Sequence, residues 1–339
     1  RTVHTGLLEY KNVYRPARVI SYDKESGELV LHNYMDFDNL KDYVKISYEL
    51  TQDGLLIGKG KLAEVSVVPH SEGKTNLQVN VPENGKCYLK LIYHLKKEMP
   101  LLEEDYILGF DEIEVSQKDA KCQLAEKWVE KTVTDSELQV SEDDTQIHIK
   151  GREFAYTIDR RTALFTEMKF AGREYLNHPM ELNIWRAPTD NDMYIKSEWK
   201  KAHYDKAYTR AYTTEVVQGK HGVKITSHAS VVAETVQKIL DVMITWKIEA
   251  AGKIDADIEV TKDDEFPDLP RFGVRMFLDK KLSAARYFGM GPQESYCDKH
   301  QAASHGLYQA NVDDLHEDYI RPQENGSHYD CEYVELNNS

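Results

Sequence analysis

A chain of 339 residues with 58 acidic against 43 basic side chains carries a formal net charge of −15. That balance argues against a nucleic-acid partner, which needs a basic stripe to displace counterions from phosphates. The longest Lys/Arg run is two residues, which disfavours an anionic membrane surface too, and no apolar stretch nears the roughly 18 residues of a spanning helix.

At about 150 residues per domain the length suggests two domains. The start, Arg1-Thr2-Val3-His4, has no initiator Met and no signal-like pattern. It reads as a beginning inside a longer protein, with a cleaved precursor as the alternative. Cys87, Cys122, Cys297 and Cys331 are far apart and form no CxxC pair, so free thiols are the favoured reading over a disulfide or a zinc site. The expected location is the cytoplasm.

Short strands dominate the first third. Ala17–Asp23 and Glu28–Tyr34 flank a hairpin turn at 24–27. Tyr43–Thr51 alternates, with Val44, Ile46, Tyr48 and Leu50 on one face, and ends at the Asp53-Gly54 turn signal. Lys61–Pro69, Asn76–Val81, Cys87–Leu95 and Ile107–Val115 follow. Cys87, Leu89, Leu91, Tyr93 and Leu95 share one face of their strand. About seven strands in roughly 100 residues is the pattern of an immunoglobulin-like sandwich.

Ser116–Glu130 is polar and reads as a linker. A second series begins with Gln146–Lys150, Phe154–Asp159 and Leu164–Phe170, then a turn at Gly172. Val223–Val232, Val236–Glu249 and Lys253–Thr261 are long runs, followed by Arg271–Leu278 and Ser283–Phe288. Their lengths suggest a large antiparallel sheet. One stretch, Ser197–Tyr208, predicts a helix capped by Ser197, with Trp199, Ala202 and His203 at helical spacing.

Three motifs carry a resemblance. Asn183–Asp192 contains Arg186-Ala187-Pro188-Thr189-Asp190-Asn191-Asp192; Phe288–Asp298 contains Gly289, Gly291, Pro292, Glu294, Tyr296 and Asp298; Tyr319–Gly326 contains Pro322, Glu324, Asn325 and Gly326. Their order and spacing resemble the RAPxDND, GxGPxExYxD and YxxPxENG segments of the glycoside hydrolase family 2 β-galactosidases. Gly6–Pro16 resembles the exit from that family's catalytic barrel. The resemblance covers nearly the whole chain. It implies an all-β fold: the end of the barrel and a linker at 1–14, an immunoglobulin-like β-sandwich at 15–116, a linker at 117–130, and a galactose-mutarotase-like β supersandwich at 131–339. The last domain is expected to be incomplete at its C-terminus, because family members continue for several more strands.

Retaining glycosidases use two carboxyl groups about 5–5.5 Å apart. The resemblance places both glutamates, and the magnesium and sodium ligands, in the barrel before residue 1. No catalytic residue and no cofactor or metal ligand is therefore assigned to this chain. Asp190 and Asp192 around Asn191 have the spacing of a calcium loop's opening, but the Gly and Glu such a loop needs do not follow. Turn capping is favoured. In the family the loop after this motif borders the sugar site, which makes Asp190, Asn191, Asp192, Met193 and Tyr194 candidates for its rim, Tyr194 being suited to stack on a sugar ring. Arg186, Pro188, Gly289, Gly291, Glu294, Tyr296, Glu324, Asn325 and Gly326 read as structural. The Gly289-Met290-Gly291 run lacks the third glycine and following helix of a dinucleotide loop, and the scattered histidines show no metal or triad spacing.

The expected function is that of a non-catalytic portion of a β-galactosidase, a hydrolase of terminal galactosides such as lactose. Its partners would be the parent's barrel and, through it, the galactoside, with homo-oligomerisation left open. The rivals are a stand-alone mutarotase, which needs a His and a Glu in one cleft, and a carbohydrate-binding module. Mutarotase motifs are not recognisable, and of the four tryptophans Trp199 and Trp246 sit on patterned elements that suggest burial.

Overall fold

The computed structural model describes residues 3–117 and 138–338. All but the first residue of the linker expected at 117–130, with Cys122 and Trp128, lies outside them. The described residues are mostly strand, every pairing is antiparallel, and they divide into two compact units. The first holds 3–117, 283–317 and 325–338, and the second holds 138–282 and 318–324.

The first unit opens with helix α1 (Thr5–Val13), then β1 (Ala17–Tyr22), β2 (Glu28–Asn33), the single turn α2 (Leu40–Tyr43), β3 (Val44–Gln52), β4 (Leu55–Lys61), β5 (Glu72–Asn76), β6 (Cys87–Leu95) and β7 (Ile107–Ser116). Two sheets, ordered β1-β2-β5 and β4-β3-β6-β7, share one apolar core. The alternation in β6 is fully used: Cys87, Leu89, Leu91, Tyr93 and Leu95 are all buried. Asp53 and Gly54 both adopt positive φ, 49° and 80°, the geometry a two-residue hairpin loop demands. Three expectations shift. The strand expected over Asn76–Val81 lies at β5. Lys61–Pro69 forms no ladder beyond Lys61, although Val65 and Val67 bury in the core. β4 was unforeseen because Gly58 and Gly60 dilute its pattern, yet its backbone pairs with β3.

The second unit contains β8 (Gln139–Glu142), β9 (Gln146–Lys150), β10 (Phe154–Asp159), β11 (Leu164–Phe170), β12 (Arg173–Glu174) and β13 (Leu176–Asn183). Helix α3 (Lys196–Lys201) follows, then β14 (Tyr208–Gln218), β15 (Gly222–Val232), β16 (Leu240–Glu249), β17 (Ile254–Lys262) and β18 (Gly273–Leu278). Sheets β12-β11-β10-β9-β8, β14-β15-β16-β17 and β13-β18 enclose a second core. Within it the Trp246 ring meets Phe165 edge-on, centroids 4.9 Å apart, and its indole N–H donates to the Ala163 carbonyl at 2.8 Å. A large aromatic is thus buried with its one polar atom satisfied. The predicted helix over Ser197–Tyr208 is cut to six residues. His203 takes a left-handed φ of 59°, which a helix cannot continue, and Tyr208 already begins β14. Ser197 lies inside the helix, and its hydroxyl donates to the Tyr194 carbonyl.

The chain then returns to the first unit with β19 (Ala284–Gly291), β20 (Ser304–Asn311) and β21 (Tyr333–Asn337), a sheet ordered β20-β19-β21. In the division into compact units this sheet goes with residues 3–117. The reason is specific bonding: Leu307 N–H donates to the Gly54 carbonyl, Lys90 Nζ to Ser304 Oγ at 2.8 Å, and the His305 amide to Glu112.

Candidate functional site

The Arg186–Asp192 motif leaves the sheet where β13 ends. Asn183 turns the chain there: its side-chain oxygen accepts from the Trp185 amide and its Nδ2 donates to the Trp185 carbonyl. The loop then closes on itself. Arg186 binds Asp192 through both carboxylate oxygens, Nη2 to Oδ1 at 2.7 Å and Nε to Oδ2 at 3.1 Å. Oδ2 also accepts from the Thr189 amide at 2.8 Å and its hydroxyl at 3.0 Å. Asp192 is only 5% exposed. Burial pushes its carboxyl up, but the bonds and charge of Arg186 and the Thr189 amide outweigh burial and hold it below the ordinary carboxylate value. The Arg186 guanidinium lies 5.9 Å from the Trp199 ring centroid, and Trp199 is pinned by its indole N–H to the Asp268 carbonyl.

Two further residues anchor the loop. Glu324 accepts from the Ala187 amide, pairs with Arg271, and donates its own amide to the Ala187 carbonyl at 3.1 Å. Gln323 accepts from the Asp190 amide at 3.2 Å. The first and third motifs, whose bonded residues lie 133 and 137 positions apart in sequence, therefore meet as one clasp. Pro188 is part-buried within it, and what projects from it is Asp190, Asn191, Met193 and Tyr194, the last 81% exposed. Asp192 faces inward, so its carboxylate orders the turn. Among the described residues no three His, Cys, Asp or Glu side chains converge where a metal ion could sit.

The second motif lies in the first unit. Glu294 is buried, with Lys299 Nζ donating to Oε1 at 2.5 Å, the Gly326 amide to Oε2 at 2.9 Å, and the Thr5 hydroxyl at 3.4 Å. Gly326 has φ of 72°, and Asn325 Oδ1 accepts from the Glu317 amide. Tyr296 and Lys299 exchange backbone hydrogen bonds. Gly289 and Gly291 are close-approach positions: a Cβ would lie 2.3 Å from Cys331 Sγ at the first and 2.4 Å from the Tyr287 hydroxyl at the second. The Gly291-Pro292 peptide is cis.

A cluster that the sequence did not single out lies nearby. His305 stacks on Tyr88 with centroids 4.1 Å apart, its Nδ1 2.6 Å from Glu112 and its Nε2 2.9 Å from Asp330. It borders a polar cavity of about 350 Å³ that Arg15 and Glu114 also line. Burial lowers the imidazole's proton affinity, but the two carboxylates outweigh it and raise the value above 6.5. β20, which carries His305, was not foreseen, and the pairing is between residues 193 apart, so no local spacing could reveal it.

Comparison with known proteins gives these motifs a family. The family model described as the β-galactosidase small chain matches residues 150–339, and that of β-galactosidase domain 4 matches residues 29–116. The chain belongs to the β-galactosidase small-chain family. Curated relatives of the family include a β-galactosidase of Actinobacillus pleuropneumoniae, 39% identical over the whole of this chain and 33% of the relative. A β-galactosidase of Staphylococcus xylosus is 28% identical over 99% of this chain and 33% of the relative, and one of Kluyveromyces lactis is 25% identical over 98% and 30%. The chain thus spans about a third of the length of the curated relatives it matches, and corresponds to a C-terminal region of β-galactosidases.

Proposed function

We propose that this chain is the non-catalytic C-terminal portion of a β-galactosidase that hydrolyses terminal β-D-galactosides such as lactose in the cytoplasm. It supports the catalytic barrel, and the loop 190–194 contributes to the rim of the sugar site. Magnesium and sodium belong with the barrel in this reading, and no cofactor is assigned to residues of this chain. The observation that carries the rim role is the contrast within one loop: Asp192 is locked to Arg186 and Thr189, while Tyr194 stands 81% exposed on that rigid base. An aromatic ring held out by an ordered turn costs little entropy to present to a sugar's apolar face. No helix among the described residues is long and apolar enough to cross a membrane.

The test is Tyr194→Ala in the full-length polypeptide. Weaker galactoside binding, read as a several-fold rise in KM, with an unchanged melting temperature supports the rim role. Normal kinetics with a lowered melting temperature would assign Tyr194 to packing instead.

A further inference from the structure

Asparagine followed by glycine occurs twice in the sequence, at Asn84-Gly85 and at Asn325-Gly326. The pair favours turns, and both glycines take positive φ, 88° and 72°. It is also chemically fragile. Asparagine is a thermolabile residue, and a following glycine puts no side chain in the way when its amide nitrogen attacks the asparagine side chain. The two copies share this chemistry and differ in what the fold does with it. At Asn325 both reacting groups are held. Its Oδ1 accepts from the Glu317 amide at 3.0 Å, and the Gly326 amide, the potential nucleophile, donates to the buried carboxylate of Glu294 at 2.9 Å. At Asn84 neither is held. Its side chain is exposed and bonds to no described residue, and the Gly85 amide donates to none. The turn is tied down through other atoms: the Asn84 carbonyl accepts from Gln52 Nε2 at 2.8 Å, and the Lys86 amide donates to Asp53 Oδ1 at 2.9 Å. Glycine is required at 85, because a Cβ there would lie 2.8 Å from Asp53 Oδ2 and the backbone is left-handed, so no side chain can shield the pair.

We propose that Asn84 is a site of spontaneous deamidation, and that the fold protects Asn325 from the same reaction. Hydroxide removes the Gly85 amide proton and the nitrogen attacks Asn84 Cγ. The new N–Cγ bond replaces the bond from Cγ to Nδ2, which takes up a proton and leaves as ammonia. Water then opens the cyclic imide. Attack at Cγ gives aspartate, and attack at the main-chain carbonyl of residue 84 gives isoaspartate, with the main chain rerouted through Cγ. In sum one water enters, one ammonia leaves and one carboxylate appears, with nothing oxidised or reduced. In isoaspartate the oxygen that Gln52 binds passes from the main chain to a free carboxylate, so the turn loses its tie to the end of β3.

The test incubates the full-length polypeptide, folded, at mildly alkaline pH and follows both sites by peptide mapping with mass spectrometry. Isoaspartate is scored by the labelled methyl group that an isoaspartyl methyltransferase adds. The peptide holding residue 84 should pass half conversion while that holding residue 325 stays asparagine. In urea, with the fold lost, the two should convert at comparable rates. An unmodified Asn84 in the folded protein, or Asn325 converting as fast, would overturn the proposal. A slow Asn325 in urea would overturn the protection, since its cause would then be local sequence. Asn84→Gln, whose longer side chain closes a larger ring slowly, supplies the control for the consequence. The aged native protein should melt lower than the fresh one and aged Asn84→Gln should not; an equal fall in both would overturn the loosening of the turn.

Discussion

Asp192 and His305 hold opposite ends of the same argument about charge. Asp192→Ala leaves the Arg186 guanidinium without its carboxylate and the Thr189 amide without its acceptor. Removing one partner from a buried, hydrogen-bonded pair costs about 2–4 kcal/mol, and chemical denaturation should read a loss of that order. Asp192→Asn keeps the shape and one acceptor and should lose less. Because the folded carboxyl sits below its ordinary value, its contribution is present above the unfolded value near 3.8 and disappears as pH falls through the lower folded value. His305 runs the other way. Its folded imidazole binds a proton more tightly than the ordinary 6.5, so its contribution is full below 6.5 and is lost as pH rises through the raised value. The stability difference between the native chain and His305→Gln, measured across pH 5 to 9, should therefore shrink toward alkaline pH. A difference that grows with pH would show that Glu112 and Asp330 do not hold a charged ring.

At the scale of elements, β19 is the tightest test, because it runs between β20 and β21 with glycine where neighbours close in. In Gly289→Ala the new methyl would meet Cys331 Sγ at 2.3 Å and its Cα at 2.8 Å, and backbone cannot yield as a flexible side chain can. A loss of about 1–3 kcal/mol is expected from such overpacking. A neutral result in thermal melting would mean that the 331 segment moves freely away from β19. The sequence marked Gly289 and Gly291 through their motif as structural, and the structure gives close approach as the reason. Strands with strict alternation or dense β-branched runs, β6, β9, β10 and β11, were legible to the residue. β4, β14 and β20 were not, since Gly58, Gly60 and Gly306 and the polar Tyr208–Gln218 run blur a period that long-range pairing then imposes. Helix α1 was hidden for a related reason. Its buried positions are Thr5 and Asn12, so a search for an inward apolar stripe finds the wrong face. The clasp around Asp192 was half legible: the turn-forming residues announced a loop, but nothing local named Glu324 and Gln323 as its anchors.

For the whole molecule the question is whether these 339 residues can cleave a glycoside by themselves. Retaining chemistry needs one carboxyl to protonate the leaving oxygen and a second, about 5–5.5 Å away, to attack the anomeric carbon. The two glutamates of the family motifs are the natural candidates, and each is committed elsewhere. Glu294 is buried and holds Lys299, Thr5 and the Gly326 amide; Glu324 holds Arg271 and the Ala187 amide. They also belong to different compact units. The chain alone should therefore release no product from a chromogenic β-galactoside above background, and Glu294→Gln or Glu324→Gln should leave that background unchanged while lowering the melting temperature. Turnover that survives repurification and vanishes with either substitution would place catalysis in this chain. In the full-length polypeptide the same two substitutions should reduce kcat/KM only in step with lost stability, because each carboxylate holds a loop of this chain in place.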